Sequence, residues 1–481
     1  MKLTVNDILG ITKGELLYNP ADPENVDRIK EVLLSYEIKD IQYDSRKVTE
    51  NSLFVAIPGE SVDPHKFIAS VAEKTKAVIV EKNEKDMLSI AGISELPQNC
   101  AFIKVNDSLE ALQAVGAYYR DFYEGTVVGV TGSVGKTTTR EMITQTIASN
   151  IPTFSTTGNM NSQIGVPITI SKIHDTPSKA AVIEMGISEP GGMDKLARIV
   201  RPNIAVVTII GQAHIEFLGS KEGIRKEKLR ITSQMDDSGV IFLNADDPLL
   251  LEMKDKIDVK TYTYGTNPEA DFVAENIEYN SDHNSYTYVH DDKRVAVKLS
   301  MLGKHNILNS LVAMAVCDYM GLDLDKAAKS LEDFHGLRQK TFKSDKGFTI
   351  IDDSYNASPD SMKAALNVLK DFKVNGRKIA VLGDMFELGP DSPEYHKEVG
   401  AYAADLKTDD GATVLDELIT IGDNSTEIHK AASLNQDIKT SHFDNKEDAA
   451  EYLSSILKAD DVVTFKASNG MKFWEIVDKI K

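Results

Sequence analysis

The run Val127-Val128-Gly129-Val130-Thr131-Gly132-Ser133-Val134-Gly135-Lys136-Thr137-Thr138-Thr139 constrains the fold more than any other part of this chain. It reads as an apolar strand, a glycine-containing loop and the start of a helix that continues through the helix-compatible residues 140–147. Backbone N–H groups in the first turn of such a helix surround phosphate oxygens, and the helix dipole favours their negative charge. In this pattern Lys136 reaches the outer phosphates and the Thr137 hydroxyl binds magnesium. The spacing departs from the general nucleotide loop, because Val130 stands where that pattern has its first glycine and the extra glycine is Gly132. The competing reading is an ordinary strand-to-helix turn with a solvated lysine. The strand before and the helix after favour a site for ATP or GTP.

A chain of 481 residues has room for roughly two to four domains, each with its own core. A formal net charge of −20 argues against nucleic acid as a partner, so an anionic substrate needs local basic residues. Cys100 and Cys317 are far apart in sequence and suggest neither a disulfide framework nor a zinc site. The N-terminus lacks the apolar stretch of a signal peptide, and no uncharged apolar run reaches membrane-spanning length. These features predict a cytoplasmic protein in a reducing compartment, without a membrane partner.

Three sections are expected. The first, residues 1–124, holds short β-like runs at 52–57 and 77–80 with turn signals at Pro58-Gly59 and Asp63-Pro64. The second, 125–332, alternates strands and helices. The third, 333–481, has apolar runs at 348–351, 378–382, 417–421 and 461–465 between helical patterns such as 361–369. That alternation predicts an α/β fold with a parallel sheet covered by helices on both faces. Ligands of such sheets bind beyond the carboxyl ends of the strands. Polar groups fall there: Glu184 after 180–183, Gly211-Gln212-Ala213-His214 after 204–210, Asp352-Asp353 after 348–351, and Gly383-Asp384 after 378–382. Each one alone also reads as a helix cap or turn residue.

One lysine is oddly placed. Across residues 223–234 helical spacing puts Ile224, Lys228, Ile231 and Met235 on one stripe, with Arg225, Lys226 and Glu227 off it. Lys228 therefore shares the apolar face, where an unpaired ammonium is costly. The alternative is a lysine that snorkels to solvent.

Several motifs, in order, carry a family resemblance. They are Asp44-Ser45-Arg46-Lys47-Val48 with Leu53-Phe54-Val55-Ala56-Ile57-Pro58-Gly59, the 132–138 loop, and Gly158-Asn159-Met160-Asn161-Ser162-Gln163-Ile164-Gly165-Val166-Pro167. Glu184-Met185-Gly186, His214, Gly303-Lys304-His305-Asn306-Ile307-Leu308-Asn309 and Gly336-Leu337-Arg338 follow. With these the chain resembles the Mur ligases, the ATP-dependent amide-forming enzymes of peptidoglycan synthesis. The stretches Asp352-Asp353-Ser354-Tyr355-Asn356-Ala357-Ser358-Pro359-Asp360-Ser361-Met362 and Val381-Leu382-Gly383-Asp384-Met385-Phe386-Glu387-Leu388-Gly389 are most similar to one branch. That branch joins D-alanyl-D-alanine to UDP-N-acetylmuramoyl-tripeptide. Three departures stand out: Val134 in place of the commoner asparagine, Asp63-Pro64-His65 in place of Asp-Gly-His, and Lys466-Ala467-Ser468-Asn469-Gly470-Met471 in place of a Lys-Gly-Ser-Arg stretch.

The resemblance implies a three-domain architecture: residues 1–124 bind the UDP substrate, 125–332 form the central ATP-binding P-loop domain, and 333–481 form a C-terminal Rossmann-like ligase domain. It implies a monomeric, ADP-forming ligase that phosphorylates a carboxylate with ATP and lets an amine displace the phosphate. Gly132, Ser133, Gly135, Lys136, Thr137 and Thr138 would hold the ATP phosphates. Thr137, Glu184 and His214 would hold magnesium. Asn306 resembles the adenine-side asparagine, although it also reads as simply helical, and Asp353 resembles the ribose-contacting aspartate. Arg338 is the candidate γ-phosphate clamp, and Lys228 matches a lysine that several relatives carry as a carbamate. Ser45 and Arg46 would meet the UDP end of the substrate; Asn159, Asn161 and Ser162 would face its sugar or peptide.

Other readings remain open at the level of sequence. One is a family member with a different acceptor, such as a modified dipeptide or a folylpolyglutamate-type substrate. Another is a non-catalytic partner that only binds ATP, for which Glu184, His214 and Arg338 would be unnecessary.

Overall fold

A computed structural model describes residues 2–19, 24–280, 283–336, 340–408 and 410–481. They fall into two compact units. One comprises Met1–Gly129, Pro152–Ile187 and Gly192–Pro202; the other comprises Val130–Ile151, Ser188–Gly191 and Asn203–Lys481.

The first unit holds a sheet in the order Glu15–Leu17, Ala101–Lys104, Ala77–Val80, Ser52–Val55, Asp40–Gln42. Its first pair is antiparallel and the rest are parallel. The runs expected at 52–57 and 77–80 are two of these strands. Their branched and aromatic residues suit parallel strands buried on both faces. Phe54, Val78, Val80 and Phe102 pack with Ile68, Val71 and Met87 on one of those faces. The Asp63-Pro64-His65 departure is structural. Pro64 opens a 3-10 helix, Pro64–Phe67, at a position where a missing N–H is harmless. His65 is fully buried, with Nδ1 2.6 Å from Asp63 Oδ1 and Nε2 accepting the Glu81 N–H. Strands Thr153–Ser155 and Ala180–Glu184 pair in parallel in the same unit.

In the second unit Ile204–Val207, Val240–Asn244, Lys260–Gly265 and Phe272–Tyr279 run parallel in that order. Antiparallel Asn284–His290 and Lys293–Leu299 extend them. The strand Thr126–Thr131 carries the chain from the first unit into the second and delivers it to the glycine loop.

A second sheet in this unit has the order Lys340–Lys343, Thr349–Asp352, Val462–Lys466, Lys378–Gly383, Glu417–Ile421, Lys439–Phe443. Its first pair is antiparallel and the rest are parallel. All four apolar runs foreseen in the third section are strands of it. Neighbouring residues divide between its faces, as the two-residue period of a strand requires. Ile351, Ala380, Leu382 and Leu418 pack with Met362, Leu366, Val399 and Ile428. These partners lie on the helices Pro359–Asp371, Ser392–Asp405 and Thr426–Ala432. Ile350, Ile379, Val381, Ile419 and Phe465 pack with Leu453, Ile476 and Val477 on the opposite side. Their helices are Lys446–Ile456 and Trp474–Ile480. The two edge strands carried no such signal, because most of their side chains are only partly buried.

Both cysteines are free, and burial pushes each thiol up to about 12, which makes them unreactive. Among the described residues no helix is long and apolar enough to cross a membrane.

Leu382 is fully enclosed between its strand and the covering helices. Leu382→Ala should cost about 2–5 kcal/mol of stability, read as an earlier midpoint in urea unfolding followed by circular dichroism. An unchanged midpoint would contradict this packing.

Candidate active site

The glycine loop has the geometry its sequence predicts, and the neighbouring strand sets its shape. The helix Lys136–Ala148 begins after Gly135, whose φ of 85° lies in the left-handed region. Gly132 has φ 147°, and a Cβ there would stand 1.9 Å from Thr208 Oγ1. Thr208 follows the strand Ile204–Val207; its hydroxyl donates to Val134 O at 2.5 Å and its N–H to Thr131 O. Ser133 N–H donates to Ile209 O, and its hydroxyl to Gly211 O at 3.3 Å. The valine departure at 134 is accommodated because Thr208 holds its carbonyl rather than its side chain.

Lys136 folds back over the loop, donating to Gly132 O at 2.8 Å and Ser133 O at 3.2 Å. Its amine thus lies against the loop whose N–H groups suit phosphate. Thr137 and Thr138 sit in the first turn, both buried. Thr139 Oγ1 donates to Asn309 Oδ1 at 3.0 Å, Asn309 Nδ2 donates to Asn306 Oδ1, and Asn306 Nδ2 donates to Leu302 O. Asn306 is therefore buried on the helix Lys304–Tyr319 and linked through Asn309 to the loop helix. Asn309 and Thr208 are structural parts of the loop that the sequence analysis did not single out. Asn309 lies inside a motif quoted above, three residues after Asn306.

Lys228 is fully buried, which excludes the snorkelling alternative. Among the described residues Nζ has no hydrogen-bond partner. Burial, then repulsion from Lys136, pushes the amine well below the usual lysine range, with Glu227 opposing. The stripe reading needs two corrections. Glu227, expected off the apolar face, is itself buried, and Met235 is only partly so. The α-helix Lys221–Leu229 gives way to a tighter 3-10 turn, Arg230–Thr232, which changes the angular spacing beyond Leu229.

His214 has φ 65°, and its Nδ1 lies 2.6 Å from Glu387 Oε2. The His214 imidazole beside it holds the Glu387 carboxyl below its ordinary range, although among the described residues Nδ1 makes no hydrogen bond of good geometry. Asp353 lies just beyond the strand Thr349–Asp352, and its Oδ2 accepts from the buried Lys466 Nζ at 2.7 Å. Lys466 also donates to Asn356 O, so the sequence around it keeps a lysine that fixes the 353–356 turn.

In the first unit Glu184 ends the strand Ala180–Glu184, fully buried. Its N–H donates to Thr156 Oγ1, and its Oε1 accepts from Asn161 Nδ2 at 2.7 Å. Asn161 is thus half-buried and orients a carboxylate, whereas Asn159 and Ser162 are exposed. Ser45 is partly buried; Arg46 is exposed and pairs through two nitrogens with Asp44, whose carboxyl is held at about 2 by those bonds. Arg338 lies outside the described residues. Among the described residues no group of three or more His, Cys, Asp or Glu side chains is assembled to hold a metal ion.

Two outcomes follow. Gly132→Ala has no space for its methyl group and should weaken binding of a fluorescent ADP analogue by at least about tenfold. Gly10→Ala, with open space around the added methyl, should leave it unchanged. The second concerns Lys228. Its folded-state pKa lies below the unfolded one, so the unfolded chain binds more protons and stability rises with pH up to the ordinary lysine value. In carbon-dioxide-free buffer Lys228→Met should raise the unfolding midpoint at neutral pH and flatten that pH dependence. Equal slopes for both proteins in urea unfolding between pH 7 and 10 would refute it.

Three family models match the chain in order: the Mur ligase family catalytic domain over residues 37–120, the Mur ligase middle domain over 130–317, and the Mur ligase glutamate ligase domain over 338–469. The UDP-N-acetylmuramoyl-tripeptide--D-alanyl-D-alanine ligase of Bacillus subtilis is 34% identical over 99% of this chain and 98% of its own length. The enzyme of that name from Escherichia coli is 31% identical, covering 90% and 92%. Among solved structures, MurF from Acinetobacter baumannii superposes with a TM-score of 0.86 at 26% identity, covering 100% of this chain and 99% of that one. MurF ligase from Thermotoga maritima in complex with ADP gives 0.78 at 28%, covering 92% and 97%. With its α/β fold, its ordered domains and a full-length relative above 30% identity, the chain belongs to the Mur ligase family.

Proposed function

We propose that this chain is an ATP-dependent ligase that joins D-alanyl-D-alanine to UDP-N-acetylmuramoyl-tripeptide, in the cytoplasmic assembly of the peptidoglycan precursor. The observation that carries this reading is the full-length likeness to the Bacillus subtilis ligase of that name. The phosphate loop geometry and the ADP complex of the Thermotoga maritima relative support the choice of nucleotide.

A free carboxylate does not condense with an amine in water, because its oxygen is a poor leaving group. In the proposed reaction a carboxylate oxygen of the tripeptide attacks the γ-phosphorus of ATP, releasing ADP and leaving an acyl phosphate. The amine of the dipeptide then attacks the acyl carbon. The C–N bond forms as phosphate departs, and the amine loses a proton. Catalysis of this kind is mainly positioning and charge neutralisation.

The chain's residues divide that work. The N–H groups at Gly132 and Gly135, with Ser133 and Thr138, would cradle the phosphates, and Lys136 would move from the loop carbonyls onto the β- and γ-oxygens. Thr137 is assigned to a first magnesium ion and Glu184 and His214 to a second, each of which would supply charge neutralisation when bound. Asn161 would orient Glu184. Asn306 and Asp353 are assigned to adenine and ribose, and Arg338 to the γ-phosphate. Ser45 and Arg46 are assigned to the UDP end, and Asn159 and Ser162 to the sugar or peptide.

Lys228 is assigned a carbamate. Burial disfavours the cation of this amine, and its neutral form is a nucleophile toward carbon dioxide: a C–N bond would form, a proton would leave, and the group would become an anion near Lys136. Carbon-13 NMR of the protein in labelled bicarbonate should show a carbamate signal that Lys228→Ala removes. A signal that survives the substitution would refute this assignment.

The reaction is tested by phosphate release from ATP and magnesium with UDP-N-acetylmuramoyl-tripeptide, with and without D-alanyl-D-alanine. Release should depend on the dipeptide and match a UDP-N-acetylmuramoyl-pentapeptide product by mass. Lys136→Met should lower turnover by about 100-fold or more. Nucleotide binding without dipeptide-dependent release would overturn the acceptor.

A further inference from the structure

The phosphate loop hangs on the segment that follows the strand Ile204–Val207, and that segment is itself held from behind. Thr208 takes the carbonyls of Thr131 and Val134, while Ile209 O and Gly211 O take the N–H and the hydroxyl of Ser133. The turn Asn244-Ala245-Asp246-Asp247 closes the neighbouring parallel strand Val240–Asn244 and reaches the same segment. Asn244 Nδ2 donates to Thr208 O at 2.9 Å, and Asp247 Oδ2 accepts the Ile210 N–H at 2.7 Å. The loop is thus bonded to residues 208, 209 and 211, and the turn to residues 208 and 210.

Both side chains of the turn are buried and fully committed. Asn244 Oδ1 accepts the Asp246 N–H at 3.0 Å. With a carbonyl facing its nitrogen and an N–H facing its oxygen, the amide has one productive orientation. The second oxygen of Asp247 accepts the Leu249 N–H at 2.9 Å and caps the helix Pro248–Leu251. Asp246, between them, faces elsewhere: it accepts the N–H and hydroxyl of Thr266 and lies 3.1 Å from Lys304 Nζ. One short turn therefore carries two side chains that reach the loop's support and one that does not.

We propose that Asn244 is a positioning residue for the nucleotide, acting through Thr208 on the phosphate loop, with Asp247 bracing Ile210 beside it. The proposal rests on the reading of residues 132–138 as the nucleotide site. Thr208 joins the two sides, since its carbonyl is held by Asn244 while its N–H and hydroxyl hold the loop. Withdrawing the amide leaves a buried carbonyl without that donor and frees the segment that sets the loop's shape.

The test uses the full chain. Binding of a fluorescent ADP analogue is measured together with amide hydrogen exchange, read by mass spectrometry on peptides spanning 130–137 and on strands of the second sheet. Asn244→Asp sets an oxygen against Thr208 O and should weaken ADP binding by at least about tenfold, with faster exchange in the phosphate loop and unchanged exchange in the second sheet. Asn244→Ala, the milder change, should act in the same direction and decides the matter if Asn244→Asp does not fold. Thr208→Val, which keeps the shape and removes the hydroxyl, should give the same pattern, and Thr208→Ser should recover most of the lost affinity. Asp246→Asn, on the same turn, should change ADP affinity by less than about twofold, because its partners lie away from the loop. Wild-type affinity in Asn244→Ala, exchange raised equally in the second sheet, or an equal loss in Asp246→Asn would overturn the positioning role. If the wild-type chain binds no ADP, the nucleotide reading fails first and the proposal falls with it.

Discussion

The second unit depends on a steric constraint at Gly132. The loop that suits phosphate runs so close to Thr208 that no side chain fits between them. That closeness lets the Thr208 hydroxyl and N–H take the carbonyls of Val134 and Thr131, and lets Ser133 bind Ile209 O. The loop is shaped by the adjoining strand as well as by its own glycines. Rigidity of this kind would serve the proposed phosphoryl transfer, because fixed backbone donors need not reorganise when charge shifts.

Lys228 is the position whose burial is hardest to explain by stability alone. A fully buried amine without a hydrogen-bond partner is unfavourable, and a hydrophobic residue of similar size would suit the position better. Burial, and then the charge of Lys136, push the amine well below the usual lysine range, which lessens the cost of its cationic form. The same two causes would favour the proposed carbamate, so the energetic defect and the proposed chemistry share one origin.

The second sheet contributes through its loops. Its core is divided cleanly, with Ile351, Leu382 and Leu418 on one face and Ile350, Val381 and Ile419 on the other. That rigid slab projects Asp360 and Glu387 onto the 211–214 loop and Lys466 onto the Asp353 turn. Loops anchored at the ends of packed strands can place polar groups more accurately than free loops can.

The amino-acid sequence by itself determined the strand–loop–helix unit at 127–147, the parallel alternation of the third section, and the family, through motifs spread along the whole chain. These are local or periodic signals: glycines where backbone must approach closely, apolar runs of strand length, and polar residues just after them. It also marked Lys228 as anomalous, since helical spacing alone put it on the apolar stripe. Only the tertiary structure decided that Lys228 is completely buried, because burial depends on packing from distant segments. The same holds for Glu227, which the spacing put on the polar side. Only the structure showed Thr208 shaping the loop, Asn309 joining two helices, and Glu387 facing His214. Each of those contacts joins residues far apart in sequence, and no local periodicity encodes a pair that meets only when the strands are assembled.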